Sequence, residues 1–230
     1  MKRWTRVMRR AWSDWLRSVL LTVLVITAFR SAVADWNDVP TGSMRPTILE
    51  GDRIVVNKLA YDLRFPYIRL RMLSWADPIR GDIVVLRSPE DHVRLVKRVV
   101  GVPGDVIAMV DNRLVINGST VDYGRLDPEA IEGLDPDLGG QLLATEQLGA
   151  AVHPVMITPG SRARSSFAPV EIPAGSFFVM GDNRDQSLDS RYFGFVPRSA
   201  VTGRVEGLVW SLDFGHHYRP RWSRFLADLV

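Results

Sequence analysis

The chain has 230 residues, a formal charge of +3, and 46% hydrophobic, 24% charged and 9% aromatic residues, which suits one well-packed domain and excludes wholesale disorder. It has no cysteine, so disulfide scaffolds, thiolate metal sites and cysteine nucleophiles are excluded together. The small charge, with no basic block interleaved with aromatics, argues against nucleic acid as a partner.

Lys2, Arg3, Arg6, Arg9, Arg10 and Arg17 precede the apolar run Ser18 to Phe29, so the positive-inside rule keeps the N-terminus in the cytoplasm and exports the rest. The uninterrupted run falls short of the roughly 20 residues that a span needs, and Ala32-Val33-Ala34 supplies a small-x-small pattern, so a cleavable signal competes with an anchor. If Arg17 and Arg30 snorkel to the two interfaces, with Trp12 and Trp15 at headgroup level, the apolar stretch reaches Val33 and spans. The expected organisation is a basic cytoplasmic tail over 1–14, a transmembrane anchor over 15–34 and an extracytoplasmic domain over 35–230.

Beyond Asp35 the pattern turns strand-like. Runs rich in Val and Ile occur at Arg53 to Asn57, Asp82 to Leu86, Val93 to Val100, Val106 to Val110, Arg113 to Ile116, Phe177 to Met180 and Gly203 to Trp210. Gly-Asp, Pro-Gly and Asn-Gly signals bound them, so the fold class is mainly β, an antiparallel sheet domain behind one N-terminal helix. Between Leu59 and Ile79, aromatics alternate with arginines, which suits either a membrane interface or a solvated loop. Residues 118–170, rich in Gly, Pro, Asp, Glu and Ala, are expected to be an insertion or small subdomain without assigned chemistry.

Ser43 stands between Gly42 and Met44, directly ahead of a strand, and its hydroxyl needs a base to act as a nucleophile near neutral pH. His92, His153, His216 and His217 lack a supporting pattern. Lysine is scarce, since among 29 basic residues only Lys2, Lys58 and Lys97 are not arginine, and only lysine can give up its proton when desolvated. Strand alternation puts Val93, Leu95, Lys97 and Val99 on one face, with Arg94, Val96 and Arg98 on the other. Lys97 therefore interrupts an apolar face, and is either a desolvated base or a rim lysine whose amine snorkels out. Lys58 reads as structural. The polar loop Gly181 to Gly194 reads either as a cation site built from Asp182, Asp185 and Asp189 or as a hydrogen-bonded scaffold that positions a base.

These pieces together resemble the type I signal peptidases, membrane-bound enzymes with a Ser/Lys dyad. The shared segments are Pro40 to Thr47, Gly51 to Lys58, Arg80 to Val84, Lys97 to Asp105, Met180 to Arg184 and Arg191 to Pro197. The resemblance implies that Ser43 attacks the scissile carbonyl and that neutral Lys97 takes its proton and passes it to the leaving amine. It implies that Ser187 orients the lysine, that Asp189 and Arg191 pair to hold the loop, and that the Ser43 backbone N–H and the Thr41 hydroxyl bind the oxyanion. It further implies an exported preprotein laid as an added strand between Asp38–Pro40 and Arg94–Val96, with Val39, Pro40, Leu95 and Val96 lining pockets for Ala-x-Ala sites. The implied setting is the bacterial inner membrane, in contact with lipid, without metal or other cofactor. Two alternatives stay open at this level: a specialised processor of one partner, and an inactive envelope module that binds peptides by strand addition.

Overall fold

The structure is a computed structural model that describes residues 2–68, 70–126 and 140–229. Helix α1 runs Lys2–Ala32, and its apolar stretch Asp14–Ala32 is long enough to cross a membrane. Leu20, Leu21, Val25 and Phe29 on that stretch are exposed, the opposite of a soluble core helix. Ala34, assigned from sequence to the anchor, instead opens the first strand.

The strands in chain order are β1 Ala34–Asp38, β2 Asp52–Asn57, β3 Asp62–Arg64, β4 Arg71–Ser74, β5 Ile83–Arg87, β6 Arg94–Gly101, β7 Val106–Val110, β8 Arg113–Ile116 and β9 Ser119–Thr120. They continue with β10 Tyr123–Gly124, β11 Leu142–Leu148, β12 Ala151–Ile157, β13 Phe167–Glu171, β14 Ser176–Met180, β15 Val196–Pro197, β16 Val201–Asp213 and β17 Arg219–Pro220. A short helix, α2, spans Ser190–Phe193 between β14 and β15.

The principal sheet has the order β1-β2-β16-β5-β6-β14-β15, and every pairing within it is antiparallel. Its residues form strands because Val and Ile fit a pleated surface buried on one or both sides. On one side Val39, Met44, Ile48, Ile54, Val56 and Val85 cluster; on the other lie Tyr61, Val84, Leu86, Val99, Phe177 and Val179. Each such side chain fully removed from water contributes roughly 1.5–3 kcal/mol. Gly51 turns the chain into β2 with φ 88°, and a Cβ there would meet the Leu212 carbonyl oxygen at 1.9 Å, so glycine is required.

Arg94 at the start of β6 donates to the Asn37 side-chain oxygen in β1. The sheet therefore curls until its first strand faces β6 across a cleft. Within that cleft β6 has an open edge, since β14 pairs only with its far half at Arg98, Val99 and Gly101.

The segment 118–170 is more ordered than its composition suggests. Strands β11 and β12 form a seven-pair hairpin from Leu142↔Ile157 to Leu148↔Ala151, and residues 127–139 of the same segment lie outside the described residues. The aromatic and arginine stretch after Leu59 is a hairpin, β3–β4, whose tip rests on α1. There the Tyr67 N–H donates to Ser31 Oγ at 2.8 Å, and the Tyr67 hydroxyl donates to the Leu24 carbonyl at 2.9 Å.

Candidate active site

Ser43 sits on a 3-10 turn, Gly42–Met44, entered from the extended residue Thr41. The turn is held from below by packing, because Met44 and Ile48 bury their side chains against β2 and β5. It is held from the side by Asn183, whose N–H donates to the Ser43 carbonyl at 3.2 Å and whose side-chain amide donates to the Gly42 carbonyl at 3.1 Å. Thr41 is exposed, and its side chain makes no capping bond to the turn.

Strand β6 is paired along its edges by β5 and β14, and over its second half the side chains of both faces are buried, Lys97 being only 2% exposed. Its Nζ donates to Ser43 Oγ at 2.6 Å. The alternatives left by strand alternation are thereby resolved toward burial. Desolvation pulls the Lys97 amine down from 10.5 to about 8, against the Asp189 and Asp182 carboxylates, which favour the ammonium, and with a smaller lowering by Arg191. Among the described residues no carboxylate forms an ion pair with the amine, the nearest being held by Arg98 and Arg191, so burial prevails.

Around the dyad stands a cage of arginine–carboxylate pairs. Arg98 donates through Nε and Nη2 to the two oxygens of Asp182 at 2.9 and 2.8 Å, both residues being 1% exposed. Thr47 Oγ1 donates to the same carboxylate at 2.5 Å, tying it to the segment that carries Ser43. Arg191 forks onto Asp189 at 2.8 Å through both Nε and Nη2, and Asp189 also accepts the Gly181 N–H at 3.0 Å. Arg184 forks onto Glu146 of β11 at 2.8 and 2.5 Å. His153 of β12 lies buried 3.4 Å from Glu146 and 3.8 Å from Asp182; burial lowers its basicity ahead of the Arg98 charge. Such pairs cost desolvation, and their forked geometry fixes position more than it adds stability.

The other sequence-predicted residues are distributed as follows. Ser187 is buried against Gly181, where a Cβ on the glycine would meet Ser187 Oγ and the Ser43 carbonyl oxygen, each at 2.3 Å. Its hydroxyl has no hydrogen-bond partner among the described residues, so the expected bond to Lys97 is not formed. Val39 and Val96 pack in one core cluster, whereas Leu95 packs on the opposite face and Pro40 is exposed. Asp182, Asp185 and Asp189 do not converge on a cation: two bind arginines, and Asp185 accepts the Thr158 N–H at 2.7 Å. Lys58 donates to the Arg30 carbonyl at 2.7 Å and to Asp35 at 3.2 Å, at the foot of α1.

Sequence reasoning missed Arg98, Thr47, Asn183, Glu146, His153 and Arg184. Alternation put Arg98 on the face opposite Lys97 and named no partner for it, whereas both faces are buried at this end of the strand. The available signal was the run Gly181-Asp182-Asn183-Arg184 straight after a core strand, where three polar side chains in a row call for internal partners.

The description of the signal peptidase family, peptidase S26, matches residues 12–210 of this chain. Signal peptidase I of Pseudomonas fluorescens is 37% identical over 86% of this chain and 72% of its own length. The corresponding protein of Pseudomonas aeruginosa is 36% identical over the same shares. A solved signal peptidase I from Enterococcus faecalis V583 is 31% identical, covers 57% of this chain and 98% of its own, and overlays with a TM-score of 0.35. The match over residues 12–210, which takes in most of the helix, the Ser43 turn, β6 and the 181–197 loop, places the chain in the signal peptidase family, peptidase S26, a family of serine endopeptidases.

Proposed function

We propose that this chain removes signal peptides from exported preproteins at Ala-x-Ala sites, with Ser43 as nucleophile and Lys97 as general base. The observation that carries this reading is the 2.6 Å bond from Lys97 Nζ to Ser43 Oγ in a site dry enough to bring the lysine near neutrality. Neutral Lys97 removes the Ser43 proton as the hydroxyl oxygen attacks the scissile carbonyl. The resulting ammonium then protonates the leaving amine. Water attacks the acyl-serine in the second half, its proton passing again to Lys97. The oxyanion is bound by the Ser43 N–H and the Thr41 hydroxyl, which stands free of the turn beside it.

The substrate lies as a strand in the cleft between β1 and the open edge of β6. Its side chains alternate toward the wall formed by Val39 and Val96, where little depth remains for anything beyond a small residue. Asp189 and Arg191 brace the loop behind the lysine. The proposed organisation is a cytoplasmic tail over 1–14, a single span that ends at Ala32 rather than at the expected residue 34, and a catalytic domain on the outer face of the bacterial inner membrane. One span and the basic flank Lys2 to Arg17 support that orientation.

The test is cleavage of a preprotein with an Ala-x-Ala site by the detergent-solubilised full chain, with Ser43→Ala alongside and the new N-terminus sequenced. Cutting after the second alanine by wild type alone supports the reading. Binding of the signal peptide without cutting by either protein moves the strand-addition module ahead.

A further inference from the structure

A cavity of about 730 Å³ lies beside the substrate cleft, between the foot of α1, the β3–β4 hairpin and the outer ends of β5 and β6. Among the described residues its wall carries Lys58, Arg64, Arg71, Arg87 and Arg94, and the one carboxylate in the wall is Asp35. Asp62 behind the wall accepts from Arg64 at 2.8 Å and Arg71 at 3.2 Å, which still leaves five cations against two carboxylates. None of these side chains has a part in the proposed peptide-bond chemistry, and like charges gathered around one half-open void attract an anion into it.

The position of the cavity says which anion. Ser31, in the last turn of the span, and Tyr67 and Ile68, at the hairpin tip, form its membrane-side wall. Tyr67 bonds the Leu24 carbonyl, about 12 Å below the helix end at Ala32 for a rise of 1.5 Å per residue. The hairpin tip thus reaches below headgroup level, and its exposed Phe65, Leu70, Met72 and Leu73 face a medium that accepts apolar surface. A cationic void opening at that height meets lipid phosphates before any soluble anion.

We infer that this cavity binds the phosphate headgroup of an anionic phospholipid, whose acyl chains lie along the β3–β4 hairpin and α1. Arginine forks suit the phosphodiester oxygens, and a void of this size accommodates a headgroup with its glycerol. The bound lipid adds a fixed contact between the outer leaflet and the catalytic domain next to the substrate cleft. This rests on the reading of α1 as a membrane span.

The experiment is native mass spectrometry of the detergent-solubilised full chain with phosphatidylglycerol, phosphatidylcholine or inorganic phosphate. One phosphatidylglycerol per chain should be retained in preference to phosphatidylcholine. Arg71→Gln with Arg87→Gln should lower that preference roughly 30-fold, the effect of two cations near a charged headgroup. The exposed pair Arg125→Gln with Arg162→Gln, neither of which lines the cavity, loses the same charge and should leave the preference intact. Arg87→Gln alone should give a partial loss if the double variant melts early. Equal retention of the two lipids, or equal behaviour of the two double variants, would overturn the proposal. Displacement of the lipid by millimolar phosphate would reassign the cavity to a soluble anion, and displacement by an acidic peptide would reassign it to substrate. Carbonate extraction of membranes separates the two readings: a chain released by carbonate has no span, whatever the lipid result.

Discussion

Two of the three lysines meet opposite surroundings, and the contrast explains what each does. Lys58, at the foot of α1, is held by two main-chain carbonyls and the Asp35 carboxylate. Lys97 is deeper, touches a hydroxyl, and has its nearest carboxylates engaged by arginines. One lysine braces a helix against a sheet. The other is left reluctant to carry its charge. A buried lysine becomes a base when the neighbouring acids are occupied elsewhere, and the Arg98–Asp182 and Arg191–Asp189 forks are what occupy them.

The contrast is broken most severely by exchanging the base. Lys97→Arg keeps a cation but cannot yield a proton, and it should lower kcat/KM on a preprotein about a thousandfold or more while the far-ultraviolet spectrum persists. Activity surviving in that variant would remove Lys97 from the chemistry. Next comes pH. If the neutral amine is the proposed base, then with the lysine at about 8, kcat/KM should climb about tenfold per unit below pH 8 and level off above it. A profile that is flat from pH 6 to 9 would count against the assignment.

Asp182→Ala takes away the carboxylate that receives both the Arg98 fork and the Thr47 hydroxyl. Thermal or urea unfolding should register a loss of about 3–5 kcal/mol, the cost of breaking a buried pair from one side. Gly181→Ala forces a methyl against Ser187 and the Ser43 carbonyl; it should cost about 1–3 kcal/mol and reduce kcat more than it raises KM, since the nucleophile turn must shift. The smallest effect belongs to Lys58→Arg, where the charge and its donors are kept. Stability should stay within about 1 kcal/mol and kcat/KM within about tenfold. A loss there as large as at Lys97 would erase the distinction between brace and base.

Much of this was legible from residue order. The Val and Ile runs at Arg53 to Asn57, Val106 to Val110 and Phe177 to Met180 became β2, β7 and β14 with ends displaced by a residue at most, because β-branched runs bounded by turn residues have few other uses. The scarcity of lysine singled out Lys97. What stayed hidden depended on partners far along the chain. Arg98 could be placed opposite Lys97 by alternation, but its partner Asp182 lies 84 residues further on, beyond the reach of a local pattern. The hairpin Leu142–Ile157 carries Glu146 and His153 where an apolar stripe would be expected, since its inner face meets Arg184 and Asp182 rather than a greasy core. Ser187 was assigned to the lysine by resemblance, and the space beside Gly181 places it without that bond.

The depressed basicity of Lys97 also writes itself into folding. In the unfolded chain the lysine holds its proton up to about 10.5; folded, it lets go near 8. Between those limits the unfolded state binds the extra proton, so folding releases one, and stability rises with pH across that window before levelling above it. Below 8 both states are protonated and the fold carries the full handicap of an ammonium in a dry strand. The protein is thus least comfortable at the acidities where the proposed base would be out of action, and on that proposal folding and catalysis are titrated by the same nitrogen.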